Sequence, residues 1–129
     1  AVETAEISLE ILKEAIKTMQ VKPHNMQKAC AIGHLSATDL ADYLVEKCAI
    51  PFREAHFITG RAVAKGEELK VDLSAMAFEH LKEIDSRIKE DVMEYLGLRH
   101  SMNARTSQGG TATQRTQEQL ELFKNYLGV

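Results

Sequence analysis

The chain has no tryptophan, only two prolines and two cysteines in 129 residues, and no excess of basic charge. It also has no apolar run approaching the roughly 18 residues of a membrane-spanning helix. Each shortage narrows the reading. Scarce proline, with almost no β-branched alternation, removes the strand signal and predicts an all-α chain. Two cysteines, Cys30 and Cys48, without a C-x-x-C pair are not the framework of a small secreted scaffold, so no disulfide is expected. No basic segment followed by an apolar core opens the chain, so no secretory leader is visible and the cytoplasm is the expected setting. Sixteen Lys and Arg against nineteen Asp and Glu give a net charge of −3. That charge carries no footprint for nucleic acid. The histidines, at 24, 34, 56, 80 and 100, never stand four apart, and no H-E-x-x-H or Cys/His cluster occurs. Neither a metal nor another cofactor is expected.

What is present is helical patterning. Hydrophobic residues make up 44% and charged residues 27% of the chain, the balance of a soluble globular domain. Val2, Ala5, Leu9, Leu12, Ile16 and Met19 are spaced 3, 4, 3, 4 and 3, an a/d seam, with Ile7 and Ile11 as a second stripe. No capping residue precedes this helix. That reads as a cut through a longer helix, the alternative being a natural start after a removed methionine. Pro23 is expected to stop it. His24 and Asn25 can begin a short helix, with Gly33 at its exit.

The stretch from His34 to Val63 is the organising unit. Ser36 and Asp39 have capping-box spacing, and Ala37, Leu40, Ala41, Leu44 and Val45 form the stripe of a first helix. Pro51 suits the first position of a second helix, with Phe52, Ala55, His56, Thr59, Ala62 and Val63 as its stripe. The product is a helix–turn–helix hairpin that other helices must cover. Gly60, inside the second helix, is expected to allow close approach of a neighbour. Further on, Ser74 is expected to cap a helix with Met76, Phe78, Leu81 and Ile84. Asp85-Ser86 is a second cap signal, before a stripe of Ile88, Val92, Tyr95 and Leu96 ended by Gly97. Leu98 to Gly110 reads as a polar connection. Thr111 and Gln114 are spaced to cap a last helix anchored by Leu120, Phe123, Tyr126 and Leu127.

Candidate chemistry is thin. His56 could act as an acid or base tuned by Arg53 or Glu54, but a packed histidine tying the hairpin together is the preferred reading. Cys48 has nothing to orient a nucleophile pair. The adjacent carboxylates Glu67-Glu68 and Glu90-Asp91 point different ways on a helix and read as solvated faces. Gly109-Gly110-Thr111 has the look of an anion-binding helix start but is explained by a turn and a cap. Arg99, Arg105 and Arg115 could hold a carboxylate or phosphate; pairing with acidic helix faces in a subunit contact is preferred. No residue is assigned a catalytic, cofactor-binding or metal-binding role.

A family resemblance runs through the same residues. Ala37-Thr38-Asp39-Leu40-Ala41-Asp42-Tyr43-Leu44-Val45, then Pro51-Phe52-Arg53-Glu54-Ala55-His56, resembles the C-terminal domain of argininosuccinate lyase, of the aspartase/fumarase superfamily. Ser101 to Ala112 is similar to that family's last loop, and the resemblance extends from about Ile7 onward. Two departures are visible. Lys47 is followed by Cys48-Ala49 where the family has a Lys-Gly turn, and Gln108 stands where an aromatic or basic residue is usual. The resemblance implies that residues 1–21 end a central-bundle helix and 22–129 form a C-terminal domain of two packed helix–turn–helix units. It implies a parent enzyme that splits argininosuccinate into arginine and fumarate for arginine biosynthesis, working as a homotetramer. The family's base is a serine in a Gly-Ser-Ser-x-Met-Pro-x-Lys-x-Asn-Pro loop, which this chain does not contain, so the isolated chain is expected to be inactive. The alternative is a free-standing, non-catalytic helical interaction module derived from a lyase, with the Val2–Met19 seam as its partner face.

Overall fold

The computed structural model describes all 129 residues and contains helices and no strands. The helices are α1 (Val2–Thr18), α2 (Pro23–Cys30), α3 (Ala37–Glu46), α4 (Phe52–Leu69), α5 (Phe78–Ile84), α6 (Val92–Tyr95), α7 (Leu98–Ala104) and α8 (Thr113–Leu127). A 3₁₀ turn, Leu73–Ala75, joins α4 to α5. The α3–α4 hairpin is the centre of packing. α3 also meets α6, and α4 meets α5 and the 3₁₀ turn.

One apolar cluster runs through these elements. Leu40, Tyr43 and Leu44 come from α3 and Ala55, Ile58 and Ala62 from α4. Leu73, Met76, Leu81, Ile88, Val92 and Leu96 close over them. The buried stripe of α4 is Ala55, Ile58, Thr59, Ala62 and Gly66, so the 3.6-residue period holds. Its phase is slightly off the expected one, because Phe52 and His56 point to solvent.

Several local expectations are corrected. Ser36 does precede α3, but it makes no side-chain cap, and Asp39 is drawn to Arg105 instead of to the helix start. Pro23 opens α2 and does not stop α1, which ends at Thr18; Pro51 sits just outside α4 as its N-cap. Ser74 caps nothing: Asp72 accepts from its backbone N–H, capping the 3₁₀ turn, and α5 begins only at Phe78. Asp85 folds an Asx turn by accepting from the Arg87 N–H at 3.0 Å, which leaves a single helical turn for α6. The polar stretch from Leu98 contains α7, seven residues long, before the loop. Thr111 bonds the Met102 carbonyl, and α8 starts two residues later. Gly60 faces open space; the crowded glycine is Gly66. The anchors Leu120, Phe123, Tyr126 and Leu127 are all more than half exposed, and α1, α2 and α8 bury no residue.

The turn that departs from the family pattern has a simple geometry. The Ile50 N–H reaches back to the Leu44 carbonyl at 3.0 Å, and Ala49 takes φ +53° to allow it. An alanine is strained in that region, by about 1–2 kcal/mol. Ala49→Gly should therefore stabilise the chain by about 0.5–1 kcal/mol, the relief being partly offset by a looser unfolded chain. A higher urea midpoint at unchanged m-value is the check.

Candidate functional site

Two polar clusters grow from the hairpin. The first joins the turn before α3 to the turn after α4. His34 has φ +54°, a conformation that histidine tolerates better than most residues. Its backbone N–H donates to Asp72 Oδ2 at 2.8 Å. Its ring Nδ1 accepts from the Leu73 N–H at 3.2 Å, so Nε2 carries the hydrogen that meets Glu67 Oε1 at 3.1 Å. The ring is almost wholly buried and lies against Gly66; a Cβ there would stand 2.6 Å from His34 Cε1 and 2.9 Å from the Val71 carbonyl oxygen. α4 ends in a Schellman pattern, with the Val71 N–H bonding the Gly66 carbonyl and Lys70 at φ +55°.

Burial by itself would raise the Asp72 carboxyl. The Ser74 N–H and hydroxyl, the His34 N–H and the His34 ring outweigh it and hold the group below its usual value of 3.8. Asp85 is lowered as well, chiefly by the Arg87 guanidinium, which binds both its oxygens at 2.9 and 2.7 Å and reaches Glu54 at 2.5 Å. A folded value below the unfolded one contributes stability above the unfolded value and loses it as pH falls through the folded one. Stability should thus be insensitive to these two groups above about pH 5 and decline between roughly pH 4 and pH 2. The Asp72→Asn variant should be less stable than the parent chain at neutral pH, and the gap in urea midpoint should narrow at about pH 3. An unchanged gap would remove Asp72 from the account.

The second cluster is an open cleft of about 420 Å³ along α3, walled by Asp39, Asp42, Tyr43, Glu46, Phe52, Tyr95, His100 and Arg105. Arg105 Nη2 donates to Asp39 Oδ1 at 2.8 Å, tying the end of α7 to the start of α3. Behind the cleft, the Tyr43 hydroxyl donates to Asp91 Oδ1 at 2.5 Å and accepts from the Lys89 N–H at 3.3 Å. Burial, and then donation to Asp91, push the Tyr43 phenol well above its ordinary range. Its ring meets Tyr95 edge-on, with centroids 5.0 Å apart.

His56 is exposed, its ring 6.4 Å from Phe52, and ties nothing together; His34 does that work. Cys48 bonds the Arg87 carbonyl at 3.4 Å, and burial raises its thiol, which makes it a poor nucleophile. Cys30 and Cys48 are both free. Glu67 and Asp91 are not idle surface charges: one holds His34 and the other Tyr43. Arg105 and Arg115 meet acidic groups within the chain, Arg105 pairing with Asp39 and Arg115 with Glu118 and the Thr106 carbonyl. Gly109 has φ +78°, and Gly110 turns the loop so tightly that a Cβ would stand 2.1 Å from the Arg105 carbonyl oxygen. No group of three or more His, Cys, Asp or Glu side chains is placed to hold a metal ion.

These clusters lock elements to one another, and a nucleophile, its base and an oxyanion donor are not brought together. The class is thus a helical domain built on a helix–turn–helix hairpin, with its charged side chains used as braces. The family model described as argininosuccinate lyase C-terminal matches residues 34–103. The chain is 74% identical over 127 residues to the argininosuccinate lyase of Sulfurimonas denitrificans, covering 98% of this chain and 28% of that protein. Over the same length it is 57% identical to the argininosuccinate lyase of a Nitratiruptor species and 39% to that of Campylobacter jejuni. This chain belongs to the argininosuccinate lyase family and corresponds to its C-terminal part, spanning a little over a quarter of the relatives it matches.

Proposed function

We propose that this chain is the C-terminal structural domain of an enzyme that cleaves argininosuccinate to arginine and fumarate in arginine biosynthesis. The observation that carries the reading is identity of 74% along 98% of the chain to a protein of that name. The reaction is a β-elimination. A base must remove a proton beside a carboxylate, fixed donors must hold the resulting negative charge, and an acid must assist the departing guanidinium. The His34 and Arg105 braces supply none of these, so the role of the domain is to buttress the assembly in which the chemistry occurs. Within residues 1–21, α1 then continues a bundle helix in a cytoplasmic homotetramer, and 22–129 cap it. Support comes from α1, whose seam residues Val2, Leu9, Leu12, Ile16 and Met19 are each more than half exposed.

Exchange into a relative tests the proposal. The Sulfurimonas denitrificans enzyme, with its matching C-terminal segment replaced by this chain, should release fumarate from argininosuccinate, while the chain alone should not. A folded but inactive exchange protein, or fumarate release by the chain alone, would overturn it. The exposed seam equally favours a free-standing interaction module. In either case Leu9→Glu with Leu12→Glu should reduce any self-association of the chain seen by light scattering; unchanged oligomers would mean the seam is not the contact.

A further inference from the structure

The joint between the first two helices and the hairpin is built on one histidine. α1 and α2 form an arm that buries no residue, so its placement depends on the short link through Gly33 and His34. Both link residues have positive φ, +91° and +54°. His34 is fastened to the turn after α4 in a way that only a neutral ring allows. Its Nδ1 accepts from the Leu73 N–H at 3.2 Å, and Leu73 is fully buried. A proton on Nδ1 would set two N–H groups against each other and take the acceptor away from Leu73. Another acceptor stands close by: Asp72 Oδ2 lies 3.8 Å from Nδ1, just beyond hydrogen-bond reach. The ring cannot retreat towards α4, because it already lies tight against Gly66. The open space beside it is a shallow cavity of about 290 Å³, walled by Ala31, Ile32 and Gly33 on the arm side and by Glu67, Lys70, Val71 and Asp72 on the other. Glu67, Lys70 and Asp72 are the charged groups that face the ring there.

We propose that His34 is a two-position latch, neutral on the Leu73 N–H and protonated on Asp72, and that the exchange changes the angle at which the α1–α2 arm leaves the hairpin. Histidine is the side chain whose ordinary titration falls between pH 5 and 8, which makes a proton the trigger. The proton adds to Nδ1, the Leu73 N–H gives up the ring, and the new Nδ1–H donates to Asp72 Oδ2. Asp72, held below its usual value, is ionised throughout that range and ready to accept. The same oxygen already accepts from the His34 backbone N–H at 2.8 Å, so the movement of the ring and the setting of the backbone are tied to one atom. Nε2 keeps its hydrogen, and its contact with Glu67, in both states. A small backbone rotation at this joint is amplified along α1, which is 17 residues and about 25 Å long. The inference rests on the joint alone and does not require the lyase reading.

The test follows the unmodified ¹⁵N-labelled chain by NMR from pH 8 to pH 5. Long-range ¹H–¹⁵N spectra read the protonation of the His34 ring nitrogens. Amide exchange reads the Leu73 N–H, and residual dipolar couplings read the angle between α1 and α4. As Nδ1 gains its proton, exchange of the Leu73 amide, corrected for the intrinsic effect of pH, should rise about tenfold or more. The couplings of α1 should change against those of α4 with the same midpoint. His34→Gln, which takes no proton, should hold one angle from pH 8 to pH 5. Asp72→Asn should keep the titration of the ring and lose the change of angle. The unmodified chain decides the matter by itself if either variant fails to fold. Protonation of His34 with the Leu73 amide and the angle unmoved, a change of angle that persists in His34→Gln, or a ring that stays neutral down to pH 5 would overturn the proposal.

Discussion

Leu44→Ala is expected to destabilise the chain by about 3–4 kcal/mol. Leu44 is fully buried and lies in the α3 stripe with Leu40 and Tyr43, where the hairpin, α6 and the loop before it converge. The cost has two parts. The lost side chain forfeits its transfer energy, and the cavity persists because its walls come from elements that are themselves braced. Tyr43 is held to Asp91 and Lys89, and Arg87 clamps Asp85 to Glu54. Those bonds keep the walls from collapsing inward. A loss in urea-unfolding free energy at unchanged m-value is the measurement, and a loss below about 1.5 kcal/mol would show that the site relaxes freely.

Gly66→Ala should cost about 2–3 kcal/mol, and His34→Ala a similar amount, for linked reasons. The added methyl would stand 2.6 Å from the His34 ring and 2.9 Å from the Val71 carbonyl oxygen. The ring could yield only by giving up the Leu73 N–H and Glu67, and the carbonyl belongs to a backbone fixed by the turn after α4. Removing His34 strands the Leu73 N–H, whose residue is fully buried, and a lost partner for a buried donor costs about 1–3 kcal/mol. The double variant separates the two effects. With His34 truncated, the clash at the ring disappears and the clash at Val71 remains, so the combined loss should be smaller than the sum by about 1 kcal/mol. Strict additivity would mean that the ring and Gly66 are not coupled.

Much of the fold was legible from residue order. The period of apolar residues in 37–46 and 52–69 is local information, and it located the hairpin to within a residue at both helix starts. The site residues were less legible. His56 drew attention because it lies in a conspicuous motif, whereas His34 stands alone in a turn, and its partners are more than 30 residues away. The only local hint was a histidine directly after Gly33 at a helix exit. Ser36 and Asp39 failed as a capping box for the same reason: Arg105, 66 residues beyond Asp39, offered its carboxylate a full charge in place of a neutral N–H. The Gly60 expectation failed because a glycine shows only that something is permitted, and open space permits it as well as a close neighbour does.

Residue order therefore determined the helical class, the hairpin and its apolar faces, the membership of the lyase family and the absence of that family's serine-loop motif from these residues. All of these depend on short-range spacing or on the identity of consecutive side chains. Tertiary structure alone decided which polar groups met. It turned Tyr43, Asp91, Arg87 and Arg105 into braces and opened the cleft along α3. It also left the seam of α1 and the apolar residues of α8 uncovered. Such pairings are set by the closing of long loops around a core, and no window of sequence shorter than those loops contains both partners.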